Sequence, residues 1–204
     1  MQRFTRFFAA AVIVATTVSC GSVVRTGRGS SYIVIDSLEG RRGAATLGPP
    51  SATLISDVVT DTCPSAASPC LTVFGDAGEA LMRIVMKDAG GAFPTTPTPV
   101  NDITLTRYRV EYTRADGRNT PGVDVPHPFD GAMTITVTSS TTTVPFSLVR
   151  IQAKNEPPLV LLQSPLSGII TEFAKVTFYG TDQAGNQVSV TGSIQIDFGN
   201  FGDL

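Results

Sequence analysis

The chain contains no tryptophan, one histidine (His127) and only 7% aromatic residues, so its interior has to be built from branched aliphatics with a few Phe and Tyr. Lysine and arginine never cluster beyond Arg41-Arg42, and the formal net charge is -2. That balance leaves no electrostatic footprint for nucleic acid. The N-terminal stretch of apolar and small residues, Phe7 to Val18, covers twelve positions, short of the roughly 20 that a membrane-spanning helix needs. A P-loop, a dinucleotide-binding glycine fingerprint, a G-x-S-x-G nucleophile elbow, heptads and internal repeats are all absent from the sequence. These absences argue against nucleotide chemistry, serine-hydrolase chemistry and coiled coils.

What is present points to strands. Hydrophobic residues make up 42% of the chain, enough for a core and well outside the disordered range. From Val188 to Phe198 the apolar side chains Val188, Val190, Ile194, Ile196 and Phe198 share one parity, and Ser189, Thr191, Ser193, Gln195 and Asp197 take the other. Alternation over that length buries one face of a strand but would put polar groups all round a helix. Gly192 interrupts the apolar face and suggests a bulge or bend.

The same period-two pattern places strands at Met133–Val137, Val176–Tyr179, Ile103–Thr113 with a bulge near Thr106-Arg107, Phe146–Ala153, Leu71–Phe74 and Thr53–Thr60. Glu79–Lys87 fits either period; it reads as a strand because no capping residue opens a helix there. Asp116-Gly117, Pro121-Gly122 and Pro157-Pro158 punctuate the connections. Seven or eight strands without intervening helices predict an all-β, two-sheet antiparallel sandwich of immunoglobulin-like type from position 52 to 204, with a closed barrel as the alternative.

The N-terminus carries a different pattern. Arg3 and Arg6 precede the apolar stretch, and Ser19-Cys20-Gly21 follows it as a small-residue processing site, the layout of a removed export signal over residues 1–19. The site resembles the lipobox of bacterial lipoproteins, with Thr17 at the position where that family usually has Leu. The resemblance implies that Cys20 is acylated and becomes the first residue of a membrane-anchored mature chain outside the cytoplasm. Gly21 after it favours the outer membrane. Cleavage after Ser19 by an ordinary signal peptidase is the alternative, since Thr17 and Ser19 are both small. The cysteine count favours the lipoprotein: acylating Cys20 leaves Cys63 and Cys70 as a pair. Losing Arg3 and Arg6 with the signal would leave 13 basic against 17 acidic residues. Positions 20–51, rich in Gly, Ser and Arg, read as a tether, except that the β-branched stretch Tyr32–Leu38 could form a strand or a short amphipathic contact.

Cys63 and Cys70 enclose Pro64-Ser65-Ala66-Ala67-Ser68-Pro69. A disulfide across so short a loop would remove roughly 2–3 kcal/mol of unfolded-chain entropy. Two free cysteines are the other reading. Two thiols seven positions apart, with no C-x-x-C and one histidine in the chain, cannot complete four zinc ligands. The run Phe178 to Val188 resembles the aromatic strand, D-x-x-G-N turn and exit strand that close many bacterial immunoglobulin-like modules of cell-surface proteins. Asp182 is expected to fold onto nearby amides, where Gly185 and Asn186 are residue types that tolerate positive φ.

Catalytic candidates are sparse. His127 lies between Pro126 and Pro128 and reads as a loop residue rather than a general base. Asp57, Asp61 and Asp76 flank the cysteine loop, while Asp182, Asn186 and Asp197 gather near the last hairpin. Calcium would need six to eight oxygens, and no D-x-[DN]-x-[DN]-G run supplies them. A sandwich-fold hydrolase or carbohydrate-active enzyme would require paired carboxylates facing one cleft, for which Glu111, Asp116 and Asp124 are the candidates. The expectation is a non-enzymatic binding or structural protein of the cell envelope. It has no cofactor, metal or catalytic residue, contacts the membrane through a lipid anchor, and has an envelope protein or glycan as partner rather than nucleic acid. An assembly subunit that exchanges a strand is a further reading, favoured if Tyr32–Leu38 is unpaired.

Overall fold

A computed structural model describes residues 29–44, 46–61, 71–164 and 166–201. Ten strands account for most of them: β1 (Ser31–Arg41), β2 (Thr53–Asp57), β3 (Thr60–Asp61), β4 (Leu71–Thr72), β5 (Asp76–Met86), β6 (Ile103–Arg114), β7 (Phe129–Val137), β8 (Thr142–Val149), β9 (Ile170–Asp182) and β10 (Gln187–Gly199). A one-turn helix α1 (Ile151–Lys154) and a 3₁₀ turn (Leu159–Gln163) fill the crossing from β8 to β9, and a second 3₁₀ turn (Pro99–Asn101) precedes β6. The sequence reading continued the β8 strand to Ala153. Ala153 instead belongs to α1, and its buried side chain joins the core from there.

Two principal sheets face each other. The smaller has the order β1-β5-β8 and is antiparallel; the larger has the order β2-β10-β9-β6-β7, antiparallel except where β2 runs parallel to β10. Relabelled in immunoglobulin fashion, the first is A-B-E and the second A′-G-F-C-C′, so the chain crosses between sheets in Greek-key style. A short ribbon pairs β3 with β4.

The period-two pattern is what builds these sheets. Along β5 every second residue from Asp76 to Met86 is buried, including Ala80, Met82 and Ile84, as expected for a strand with one face on the core. β6 carries the expected bulge, its register shifting between Leu105 and Arg107 against both neighbours. β10 pairs with β9 in unbroken register through Gly192, so the glycine marks no bulge. A Cβ there would sit 3.1 Å from Leu38 Cδ2 and 3.2 Å from Ile35 Cδ1. Gly192 is therefore the hollow into which β1 packs across the sandwich.

The domain begins earlier than the sequence suggested. β1 pairs with β5 from Ser31↔Met86 to Arg41↔Ala77, so residues 31–41 belong to the sandwich and not to a tether reaching 51. Ile33 is buried and Ile35 and Leu38 pack on the core; that apolar content, set among Ser and Gly, was enough to hold a strand in place.

The core is a single layer between the sheets. Phe146 of β8 meets Phe178 of β9 edge to face at 5.3 Å and Tyr108 of β6 at 5.6 Å. No tryptophan is available for the centre, and two tyrosine hydroxyls bridge the sheets instead. Tyr112 donates to the Leu148 carbonyl at 2.7 Å, and the Ser147 amide donates to Tyr108 Oη at 3.1 Å.

Candidate functional site

The strands place two poles and one broad outer face where chemistry could occur. At the pole holding the end of β1, the start of β5 and α1, four charged side chains converge. Asp76 Oδ1 accepts from the Gly43 amide at 2.8 Å; Oδ2 accepts from Ser56 Oγ at 2.5 Å and lies 2.9 Å from Lys154 Nζ. Lys154 also donates to the Asp57 carbonyl at 2.7 Å, and the Asp57 carboxylate accepts from Arg42 Nη2 at 2.8 Å. Burial pulls the Lys154 ammonium below its ordinary pKa, and Asp76 opposes that shift. Two carboxylates balance two cations, and Asp76 is held by three donors. The arrangement latches β2, β5, α1 and the β1–β2 loop together.

Sequence reading found Asp57 and Asp76 but not their partners. Lys154 sits in a stretch, Ala153-Lys154-Asn155-Glu156, whose hydropathy looks like any solvent loop. Only the turn of α1 aims it inward, where it is fully buried.

The carboxylates proposed for an enzyme do not share a cleft. Glu111 accepts from Arg109 Nε at 3.3 Å and Lys175 Nζ at 3.3 Å, and the Arg109 hydrogen bond leads the effects that lower its pKa. Asp116 pairs with Arg118 at 2.7 Å and Arg114 at 2.8 Å, and the Arg118 hydrogen bonds bring its pKa down to about 2. Asp124 accepts from the Thr120 amide at 3.1 Å, closing a turn. His127 is exposed beside that turn, where a Cβ on Gly122 would meet its Nε2 at 2.4 Å.

The last hairpin behaves as its residues imply. Asp182 Oδ1 accepts from the Ala184 and Asn186 amides at 3.0 and 2.8 Å, and Oδ2 from Asn186 Nδ2 at 2.7 Å. Gly185 takes φ +80°, whereas Asn186 does not adopt positive φ. Asp197 is engaged by Thr171 Oγ1 at 2.6 Å. Among the described residues no group of three or more His, Cys, Asp or Glu side chains is arranged to hold a metal ion.

Glu172 was missed, although a signal existed: it shares the inward parity of Ala174, Val176 and Phe178 on β9. It is fully buried, neither carboxyl oxygen has a hydrogen-bond partner, and burial pushes its pKa up to about 8.

The outer face of the larger sheet is a broad polar surface. Across one row run Gln187, Thr181, Thr104 and Thr136; across the next but one, Thr191, Thr177, Arg109 and Asp130. Hydroxyls pair across strands, Thr104 with Thr136 at 3.1 Å and Thr177 with Thr191 at 3.0 Å. Between these rows the Arg107 guanidinium stacks on Tyr179 at 4.1 Å, beside a shallow depression of about 360 Å³ bounded by Thr106, Thr181, Gln187 and Ser189. Such a face can form hydrogen bonds and stack on a flat ligand.

Cys20, Cys63 and Cys70 lie outside the described residues, so neither the lipidation nor the disulfide reading meets the structure. No helix among the described residues is long and apolar enough to cross a membrane. No known protein family, curated protein or solved structure matches this chain.

Proposed function

We propose that the chain is an exported lipoprotein, acylated at Cys20, whose sandwich serves as a non-enzymatic binding module of the cell envelope, with the outer membrane the favoured site. The anchoring part rests on the first twenty residues: basic start, short apolar run and a small-residue site ending at Cys20. The binding part is supported by the outer face of the larger sheet, where hydroxyls, amides and neutralised charges lie open to solvent across β10, β9, β6 and β7. A polar, nearly charge-balanced sheet face suits a glycan or the polar rim of an envelope protein. The Glu111, Asp116 and Asp124 carboxylates, each turned to its own partners, favour this reading over a hydrolase. A β1 strand paired along its length with β5 disfavours strand exchange.

The test is metabolic labelling of the full chain in a bacterial host with an alkyne-bearing palmitate, followed by intact mass. Label on the wild type that disappears in Cys20→Ala supports the anchor. An unmodified thiol at position 20 in the mature protein refutes it.

A further inference from the structure

The strand topology brings the N-terminal entry of the chain and one uncharged loop to the same pole. Gly29 is buried there; a Cβ on it would lie 2.9 Å from Asp182 Oδ2, so the chain enters the fold against the β9–β10 turn. The loop joining β5 to β6 is fastened to that same point. Lys87 N donates to the Ser30 carbonyl at 2.9 Å, Ser31 Oγ to the Asn101 carbonyl at 3.0 Å, and Asn101 Nδ2 to Ser30 Oγ at 2.8 Å. Between Asp88 and Asp102 no residue carries a charge. Thr95 Oγ1 donates to Asp88 at 2.8 Å and pinches off the tip Ala89-Gly90-Gly91-Ala92-Phe93-Pro94. At this tip Phe93 is 92% exposed, and Val100 on the neighbouring 3₁₀ turn is 68% exposed.

We infer that the loop from Ala89 to Val100 is a membrane-contact element that rests Phe93 in the headgroup region of the bilayer to which the chain is anchored. The inference builds on the lipoprotein reading. Only ten positions separate Cys20 from Ser30, and ten residues reach at most about 36 Å even when fully extended. An anchor at Cys20 therefore holds this pole, and not the one about 40 Å away along the strands, close to the lipid. A loop without charge, small at its tip and carrying one aromatic ring, enters the headgroup layer at little desolvation cost, and aromatic rings favour that layer. The flanking Asp88, Asp102 and Asp182 stop the insertion at the surface. Two attachments, the acyl chains and Phe93, then fix the long axis of the sandwich upright, with α1 and the cysteine loop's flanks facing away from the membrane.

The lack of any native tryptophan makes the test direct. Phe93→Trp in the full acylated chain, reconstituted in vesicles of phosphatidylethanolamine and phosphatidylglycerol containing brominated phosphatidylcholine, is expected to emit further to the blue than in detergent-free buffer and to lose about half its intensity to the bromine. Leu161→Trp, on the 3₁₀ turn at the opposite pole, is expected to remain unquenched. A membrane-bound, acylated Phe93→Trp protein without quenching overturns the inference, as does equal quenching of both variants. If mass measurement shows Cys20 unacylated, the anchor reading fails by itself. Quenching of Phe93→Trp in the unanchored chain mixed with the same vesicles would then still uphold the loop contact, and no quenching would end it.

Discussion

Lys154 Nζ lies 2.9 Å from Asp76 Oδ2, and both side chains are completely shielded from solvent. The pair joins α1 to the first residue of β5, elements 78 positions apart in the chain. A buried ion pair contributes little compared with a well-packed apolar pair, but breaking it strands a charge in the interior. Asp76→Ala is therefore expected to destabilise the fold by about 3–5 kcal/mol in urea titration. The double variant Asp76→Ala with Lys154→Met should recover a large part of that loss. Equal destabilisation by single and double variants would show that the carboxylate acts through Ser56 and Gly43 rather than through the lysine.

Glu172 gives the fold a pH dependence of definite sign. Its carboxyl has a pKa of about 8 in the folded chain against an ordinary value of 4.5, so between those values the native state holds a proton that the unfolded state has released. Stability is then highest below about 4.5 and declines as pH rises through about 8. The steepest slope is about 1.4 kcal/mol per pH unit. Glu172→Gln should remove this decline and stabilise the protein at pH 8 by on the order of 1–3 kcal/mol, measured by urea unfolding across pH. A wild type and variant with parallel pH profiles would contradict the assignment.

Tyr112 holds the two sheets together through one hydroxyl. Its proton is kept far above the usual phenol range by burial, and it donates to the Leu148 carbonyl at 2.7 Å. Tyr112→Phe leaves that carbonyl short of a partner inside the core and is expected to cost about 1–2 kcal/mol. Thermal melts of Tyr112→Phe beside an exposed control such as Tyr32→Phe would check it.

Two glycines should respond differently to a methyl group. At Gly131 a Cβ would lie 2.2 Å from the Tyr108 ring, which is itself wedged between Phe129 and Phe146. At Gly192 the nearest atoms, 3.1 and 3.2 Å away, are the flexible ends of Leu38 and Ile35. Gly131→Ala should destabilise by about 1–3 kcal/mol, whereas Gly192→Ala should stay within about 1 kcal/mol of the wild type because the loss of glycine entropy offsets the crowding. Chemical denaturation of both variants decides the comparison.

Much of the sandwich could be read from the chain because strand burial leaves a trace in adjacent residues. Val188 to Phe198 alternates visibly, the Thr106-Arg107 bulge shows as a change of parity, and the D-x-x-G-N turn states its own hydrogen bonding. Glu172 could have been found by the same parity. Lys154 could not, because the strand pattern read through Ala153 gives way to a helical turn at Ile151 that no local signal marks.

The sequence by itself determined most of the strand segments and the turns between them, since each depends on neighbours a few positions apart. Tertiary structure alone decided that Ser31–Arg41 is a sheet strand, that Asp76 finds Lys154, and that the Phe93 loop shares a pole with the N-terminal entry. Those relationships join residues tens of positions apart, and their energy comes from burial and pairing across the two sheets, which no local pattern encodes.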